Sequence, residues 1–314
     1  MDVSILIPVH NCVGLTAACL ESLRPTLPAS RGATGWEVLV YDDASTDETP
    51  GLLEKHASWV RTVRDSARGS FSINMNRLAA DARGRYLVML NNDTLLRGGW
   101  LDELLAVAAA QPLAGIIGNL HLFPESKNST TPGGCRINHA GVVFDEDLHA
   151  RHLYEGMPEG LAAAGLTRRL QAVSAACWMV DAEHWKAMSG FDERYVNGHE
   201  DIDACLRTRE MGREVWYAGK SEIEHFGSST PGRFDAIDAN HERYLARWGD
   251  VIEADLEAVT AEDGVAWPRR SVAYRAARGV WRWAPARAVL GRVMSSRFGI
   301  RCRGLVHRRL IRSR

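Results

Sequence analysis

Residues 36–48, Trp36-Glu37-Val38-Leu39-Val40-Tyr41-Asp42-Asp43-Ala44-Ser45-Thr46-Asp47-Glu48, decide the reading of the fold. The segment opens as an apolar run of the kind that forms a strand buried on both faces of a sheet. It ends on two adjacent carboxylates, which repel each other unless a ligand or cation uses them. A helix N-cap cluster explains the same residues, since Asp and Ser favour that place. Thr46 would then cap a helix over about 47–56.

Outward from this stretch the pattern repeats. Residues 3–9 (VSILIPV) read as a strand and 15–23 as a helix. A third strand is expected at 60–64, a helix at 73–82, a strand at 86–90 (YLVML), a helix at 100–111 and a strand at 114–122. This alternation predicts a mostly parallel sheet with helices on both faces. Ligands of such sheets bind outside the carboxyl ends of the strands. Beyond 125 the alternation loosens. Residues 125–134 have loop composition, 136–144 suggest a strand, and 149–169 look irregular. An apolar stretch at 173–180, helices at 181–188, 200–211 and 234–248, and an extended run at 214–226 complete the body.

Composition sets the outer bounds. With 46% hydrophobic and 25% charged residues, the 314-residue chain is globular, which excludes a disordered or collagen-like protein. No apolar run is long enough to span a bilayer. The N-terminus carries no basic leader, so no signal peptide is expected. The six cysteines form no CxxC pair and read as reduced cytosolic thiols. The formal net charge of −1 averages two unlike parts. From Gly264 to Arg314 there are 14 arginines and no acid, so the preceding residues hold 24 cations against 39 anions, a net of −15.

Three segments carry candidate chemistry. The first is Asp42-Asp43. The second is Asn91-Asn92-Asp93, where oxygen-bearing side chains follow a strand, as suits a hard cation with phosphate partners. An ordinary Asn/Asp turn is the alternative. The third is Glu200-Asp201-Ile202-Asp203 at a helix start, where the macrodipole already favours acids. Here Asp201 could serve as a general base. His225 lies near a strand end and is a candidate metal ligand or a structural histidine. His139, His149 and His152 with Tyr154 suit a polar acceptor groove better than a zinc site, which wants a different ligand set. Trp178 and Trp185 could stack on a sugar, but apolar packing is the stronger reading.

Taken in order, SILIPVHN (4–11), EVLVYDDASTDET (37–49), GRYLVMLNNDT (84–94), FDERY (191–195), EDIDACLRTREMG (200–212) and HFGSS (225–229) resemble the family 2 glycosyltransferases. The resemblance covers about residues 3–230. It implies the GT-A fold, an α/β architecture whose mostly parallel central sheet is flanked by helices. It also implies an inverting transferase that takes a UDP- or dTDP-linked sugar donor to a glycan or lipid-linked acceptor. Pro8, His10 and Asn11 would then lie near the nucleotide, and Asp43, with Asp42 as the neighbour, would bind its base or ribose. Asn91-Asn92-Asp93 stands where the family has its Asp-x-Asp signature. Asp93 is thus the expected ligand of Mg²⁺ or Mn²⁺, with Asn91 one formal charge short of the acidic version and His225 a further ligand. Asp201 corresponds to the catalytic base, and Glu200 is its neighbour on the acceptor side.

The expected organisation is a transferase domain at 1–263, with a nucleotide-sugar half to about 125 and an acceptor half from 126, and a basic tail at 264–314. Within the tail, Ala273, Ala276, Ala277, Val280, Trp281 and Ala284 fall on one helical side and Arg275, Arg278 and Arg282 on the other. That pattern suits an anionic membrane surface reached through 269–314. Packing on the acidic body is the alternative. Nothing resembles a nucleic-acid fold. The expected place is the cytoplasm, peripheral to the inner face of the cell membrane. A nucleotide-sugar-binding protein without transfer activity is the second reading. A dinucleotide oxidoreductase would need a GxGxxG after the first strand, where Pro8-Val9-His10-Asn11 stands instead. A sugar-phosphate nucleotidyltransferase would need a Gly-rich phosphate loop there, and none follows.

Overall fold

The first strand, β1 (Val3–Val9), is buried along almost its whole length because it lies between two others. In this computed structural model, residues 2–27, 35–124, 136–227 and 236–266 are described. After β1 come α1 (Val13–Leu23), β2 (Trp36–Asp43), α2 (Thr49–Lys55), β3 (Val60–Asp65), α3 (Phe71–Asp81), β4 (Tyr86–Leu90), β5 (Thr94–Leu96), α4 (Trp100–Ala110) and β6 (Ala114–Leu122). The second half holds β7 (Ile137–His139), β8 (Val142–Phe144), β9 (Ala150–His152), β10 (Arg168–Arg169), β11 (Cys177–Asp181), α5 (Ala182–Ala187), α6 (Glu200–Glu210), β12 (Glu214–His225), α7 (Ile237–Trp248) and α8 (Leu256–Glu262).

The main sheet runs β10–β12–β6–β11–β4–β1–β2–β3. Strands β4, β1, β2 and β3 are parallel, as alternation with helices requires. Every residue of β2 is buried, whereas β3 alternates toward solvent as an edge strand does. Strand β11 departs from the parallel pattern and inserts antiparallel between β4 and β6. The long excursion through 123–176 returns the chain to the carboxyl end of β4, so Cys177 pairs with Leu90. The residues just before β11 are thereby delivered to the end of the sheet where ligands bind.

Side chains from β1, β2, β4, α1 and α4 share one core with Trp36 and Trp100. Each fully buried Leu, Ile or Val there contributes about 1.5–3 kcal/mol. Trp178 and Trp185 are also buried; Trp178 stacks on Phe191 and Trp185 meets it edge to face, so both pack rather than face a ligand.

Several local expectations change. Thr46 caps nothing: α2 starts at Thr49 with Pro50 in its first turn, and Asp47 takes over the capping work. The strand expected over 136–144 is two strands, broken at Gly141, whose φ of +101° only glycine adopts without strain. The last helix expected from 234 begins at Ile237, and β5 and α8 are additional. A bulge between Ala218 and Glu222 bends β12, so its end pairs with β5 as well as β6. Cys12, Cys19, Cys177 and Cys205 are free thiols. Among the described residues no helix is long and apolar enough to cross a membrane. The amphipathic pattern read at 269–314 lies outside the described residues.

Candidate active site

A cavity of about 570 Å³ opens at the carboxyl ends of β1, β2 and β4. Pro8, His10, Asp43, Asn91, Asn92, Asp93, Glu200 and Asp201 line it together. Asn11, Asp42 and His225 do not line it, and each stands behind a residue that does.

The first wall is the turn from β1 into α1. Asn11 (φ 54°) and Cys12 (φ 61°) are both left-handed, which reverses the chain within two residues. The Asn11 side chain locks that turn to the next one: its Oδ1 accepts from Thr46 N (2.7 Å) and its backbone N donates to Ser45 Oγ (2.8 Å). Asp47 Oδ2 accepts from Val13 N (3.0 Å), so a residue from the second loop caps the first helix. Burial would raise the Asp47 pKa, but hydrogen bonds from Thr49 and Val13 outweigh it and hold the carboxyl below its ordinary value. His10 Nδ1 donates to Asp43 O at 2.6 Å, with its ring on the cavity.

The two acids of β2 part ways because neighbouring strand residues face opposite sides. Asp43 lines the cavity, and its Oδ1 accepts from Gly69 N at 2.7 Å. Asp42 points into the fold, fully buried. It accepts from Ser45 N (2.9 Å) and pairs with Arg64 (3.3 Å). It is a loop anchor, not a cavity residue.

The second wall is the end of β4. Asn91 N donates to Ala176 O (2.9 Å), and Asn92 Nδ2 donates to Thr16 Oγ1 (3.0 Å). Asp93, 7% exposed, lies with its Oδ1 at 3.3 Å from His225 Nε2. The register makes this pair, since β5 and β12 set Thr94 opposite His225. Both ring nitrogens of His225 are buried without a hydrogen-bond partner. An imidazole nitrogen beside a carboxylate, next to Asn91 and Asn92 on the cavity wall, is a donor set that fits a divalent ion.

The third wall is the start of α6. Asn197 (φ 53°) and His199 (φ 69°) are left-handed and swing the helix N-terminus to the cavity. Asp201 Oδ2 accepts from Ala175 N (3.3 Å) and its Oδ1 from Ile202 N (2.9 Å). Glu200 Oε2 accepts from Gly198 N. The segment 174–176 therefore ties the end of β4 to the start of α6, with Asn91 bonded to Ala176 and Asp201 to Ala175. Asp203, two residues on, faces the core. It takes Arg207 (2.7 Å), Arg247 (3.2 Å) and Trp248 Nε1 (2.9 Å).

The loop at 66–70, which carries no sequence motif, also lines the cavity. Arg68 is the one Lys or Arg among the described lining residues, against Asp43, Asp93, Glu200 and Asp201. Gly69 is crowded, since a Cβ there would lie 2.5 Å from Asn74 Oδ1. The available signal was Ser70, which caps α3 through Ile73 N. An anionic ligand entering so acidic a cavity needs a compensating cation, which again fits a metal.

A sheet of this order, with an acidic cavity at its strand ends, is the GT-A fold. The structure aligns with a mannosyltransferase of Pyrobaculum calidifontis solved with GDP-Man and Mn²⁺, at a TM-score of 0.58 and 15% identity over 91% of this chain and 82% of that one. The model of the family described as "Glycosyl transferase family 2" matches residues 4–162, and the chain belongs to that family. It is 32% identical over 244 residues to the O-antigen biosynthesis protein RfbC of Myxococcus xanthus, covering 75% of this chain and 18% of that protein. It is 25% identical over 214 residues to the N-acetylglucosaminyl-diphospho-decaprenol L-rhamnosyltransferase of Mycobacterium tuberculosis (strain H37Rv), covering 62% of this chain and 68% of that enzyme. The chain thus spans less than a fifth of the length of the Myxococcus relative.

Proposed function

We propose that this chain is an inverting, metal-dependent glycosyltransferase. It moves a sugar from a UDP- or dTDP-linked donor to a hydroxyl of a glycan or lipid-linked acceptor. The observation that carries the reading is the single cavity lined by Asp43, Asp93 and Asp201, with His225 against Asp93. The family membership and the lipid-linked substrate named for the mycobacterial relative support it.

Asp43 and the His10 turn hold the nucleoside, at the ends of β1 and β2. Asp93 and His225, with Asn91 beside them, would hold Mg²⁺ or Mn²⁺. When bound, the ion supplies positive charge to the diphosphate leaving group. Asp201 faces the same cavity, kept in place by the N–H groups of Ala175 and Ile202. An acceptor hydroxyl has a pKa far above 7, and Asp201 takes its proton as the oxygen attacks the anomeric carbon. One base opposite one leaving group gives direct displacement and inversion, unlike the two-carboxylate geometry of retaining glycosidases. Glu200 is the neighbouring carboxylate for orienting the acceptor. We further propose that residues 1–263 form the transferase domain and that the arginine-rich 264–314 docks it on an anionic membrane surface.

The test is a screen of nucleotide sugars with Mn²⁺ or Mg²⁺, scored first by thermal shift, since a ligand of the native state raises apparent stability. Hits are then assayed for nucleoside diphosphate release with acceptor. Binding without release under every acceptor condition would favour a nucleotide-sugar-binding protein instead.

A further inference from the structure

The histidine against Asp93 is one end of a row of four, of which His225, His121 and His139 are buried. His225 meets His121 edge to face (5.7 Å between ring centres, 83°). His121 lies 4.8 Å from His139, and His139 lies 4.7 Å from His152. His121 sits on β6, fully buried, and the roles assigned above leave it unused.

Its surroundings determine which nitrogen carries its proton. Ser221 Oγ donates to the Trp100 carbonyl at 2.6 Å, so toward Asn119 it must accept, from Nδ2 at 3.2 Å. That orients the Asn119 amide and leaves its oxygen facing His121 Nε2 at 2.9 Å. An amide oxygen only accepts, so His121 donates from Nε2. In a neutral imidazole one nitrogen donates and the other accepts, which leaves Nδ1 of His121 as the acceptor. This Nδ1 is buried without a hydrogen-bond partner, and so is Nδ1 of His225.

A histidine that binds a metal through one nitrogen holds its proton on the other, and that N–H is normally donated to a nearby acceptor, which fixes the ring. His225 turns Nε2 toward Asp93, so once a cation takes Nε2 the proton belongs on Nδ1. We propose that His121 Nδ1 accepts a hydrogen bond from the His225 Nδ1–H when the cation is bound. His121 is then a positioning residue for the metal site, its tautomer set by the Trp100–Ser221–Asn119 chain. The inference rests on the reading of Asp93 and His225 as the divalent-cation site.

The test titrates Mn²⁺ into the full chain, with UDP present, for His121→Phe, His225→Ala and the double variant. Binding of UDP without metal is measured in parallel. His121→Phe should weaken Mn²⁺ binding about 10–100-fold, the range for losing an outer-shell partner. The double variant should be no weaker than His225→Ala alone, and metal-free UDP binding should be unchanged. If His225→Ala does not weaken Mn²⁺ binding, the cation-site reading falls and takes this inference with it. If His225→Ala weakens it while His121→Phe does not, only this inference is overturned. A second measurement needs no variant that could misfold. The imidazole ¹⁵N spectrum of the unaltered chain should show His121 as the Nε2–H tautomer, with an Nδ1 resonance that moves when Mg²⁺ and UDP are added. The opposite tautomer, or a resonance that stays put, overturns the proposal.

Discussion

His225 Nε2 lies 3.3 Å from Asp93 Oδ1, and β-sheet register puts it there. The short β5 begins directly after Asp93 and pairs with the last residues of β12, so both side chains reach the same end of the sheet. Replacing Asp93 by Asn keeps the shape and removes the charge. Turnover with Mn²⁺ should fall on the order of 10²–10³-fold, comparable to losing one preorganised group that stabilises transition-state charge. Nucleoside diphosphate release at saturating donor measures it. EDTA should stop the native reaction, and added Mn²⁺ or Mg²⁺ should restore it. Full activity in EDTA would remove the metal from the reaction.

Asp201 is held by two backbone N–H groups, so its replacement by Asn should leave the fold and the nucleotide site intact. The loss should fall on the chemical step, about 10²–10⁴-fold, the usual contribution of a general base. Donor binding by calorimetry should stay within a few-fold of native. Near-native turnover in Asp201→Asn would mean the proton goes elsewhere.

Asp203 is the contrasting acid of the same helix. It is fully buried and accepts from two arginines and Trp248. Removing it leaves Arg207 buried without its carboxylate, a change that typically costs about 3–5 kcal/mol. Asp203→Ala should therefore lower the urea midpoint sharply, whereas Asp201→Asn should barely move it. Equal stabilities for the two variants would contradict the assignment of one to chemistry and the other to structure.

The sequence made these distinctions only in part. The four parallel strands were legible because their apolar runs are short, continuous and separated by helical spacing. Strand β11 was not, because an apolar run reads the same in either direction and only the path of 123–176 makes it antiparallel. Asp42 and Asp43 show the same limit. Strand alternation says that one of them turns away from the ligand, but which one depends on the register of β2 against β1 and β3. The Asp93–His225 pair was suggested by resemblance and depends on the bulge in β12, which no local pattern announces. His121, in Asn119-Leu120-His121-Leu122, reads simply as part of a strand, and its importance comes from what packs on it.

The arginines at 264–314 carry the proposal of surface docking. Near an anionic bilayer each adds about 1 kcal/mol, within a Debye length of the surface. Deleting 265–314 should shift the protein from the pellet to the supernatant in sedimentation with phosphatidylserine vesicles. Donor hydrolysis by the remaining chain should change little. Equal sedimentation of the two forms would assign the tail to the enzyme body.

Buried histidines make the stability of the fold depend on pH. Burial holds the His139 pKa well below the ordinary 6.5, with the neighbouring His152 and His121 adding to the shift, and it lowers His199 to about 4. In the unfolded chain both titrate near 6.5, so below that pH the unfolded state binds more protons than the native one. Stability is therefore fully present above about pH 6.5 and is lost as pH falls from there toward the folded values. Urea midpoints should be level from about pH 7 to 8 and decline from about 6.5 down to 5. His199→Asn should lessen the decline, since an amide cannot take up the proton, and its side chain retains a left-handed backbone at small cost. An unchanged slope in that variant would place the titrating groups elsewhere.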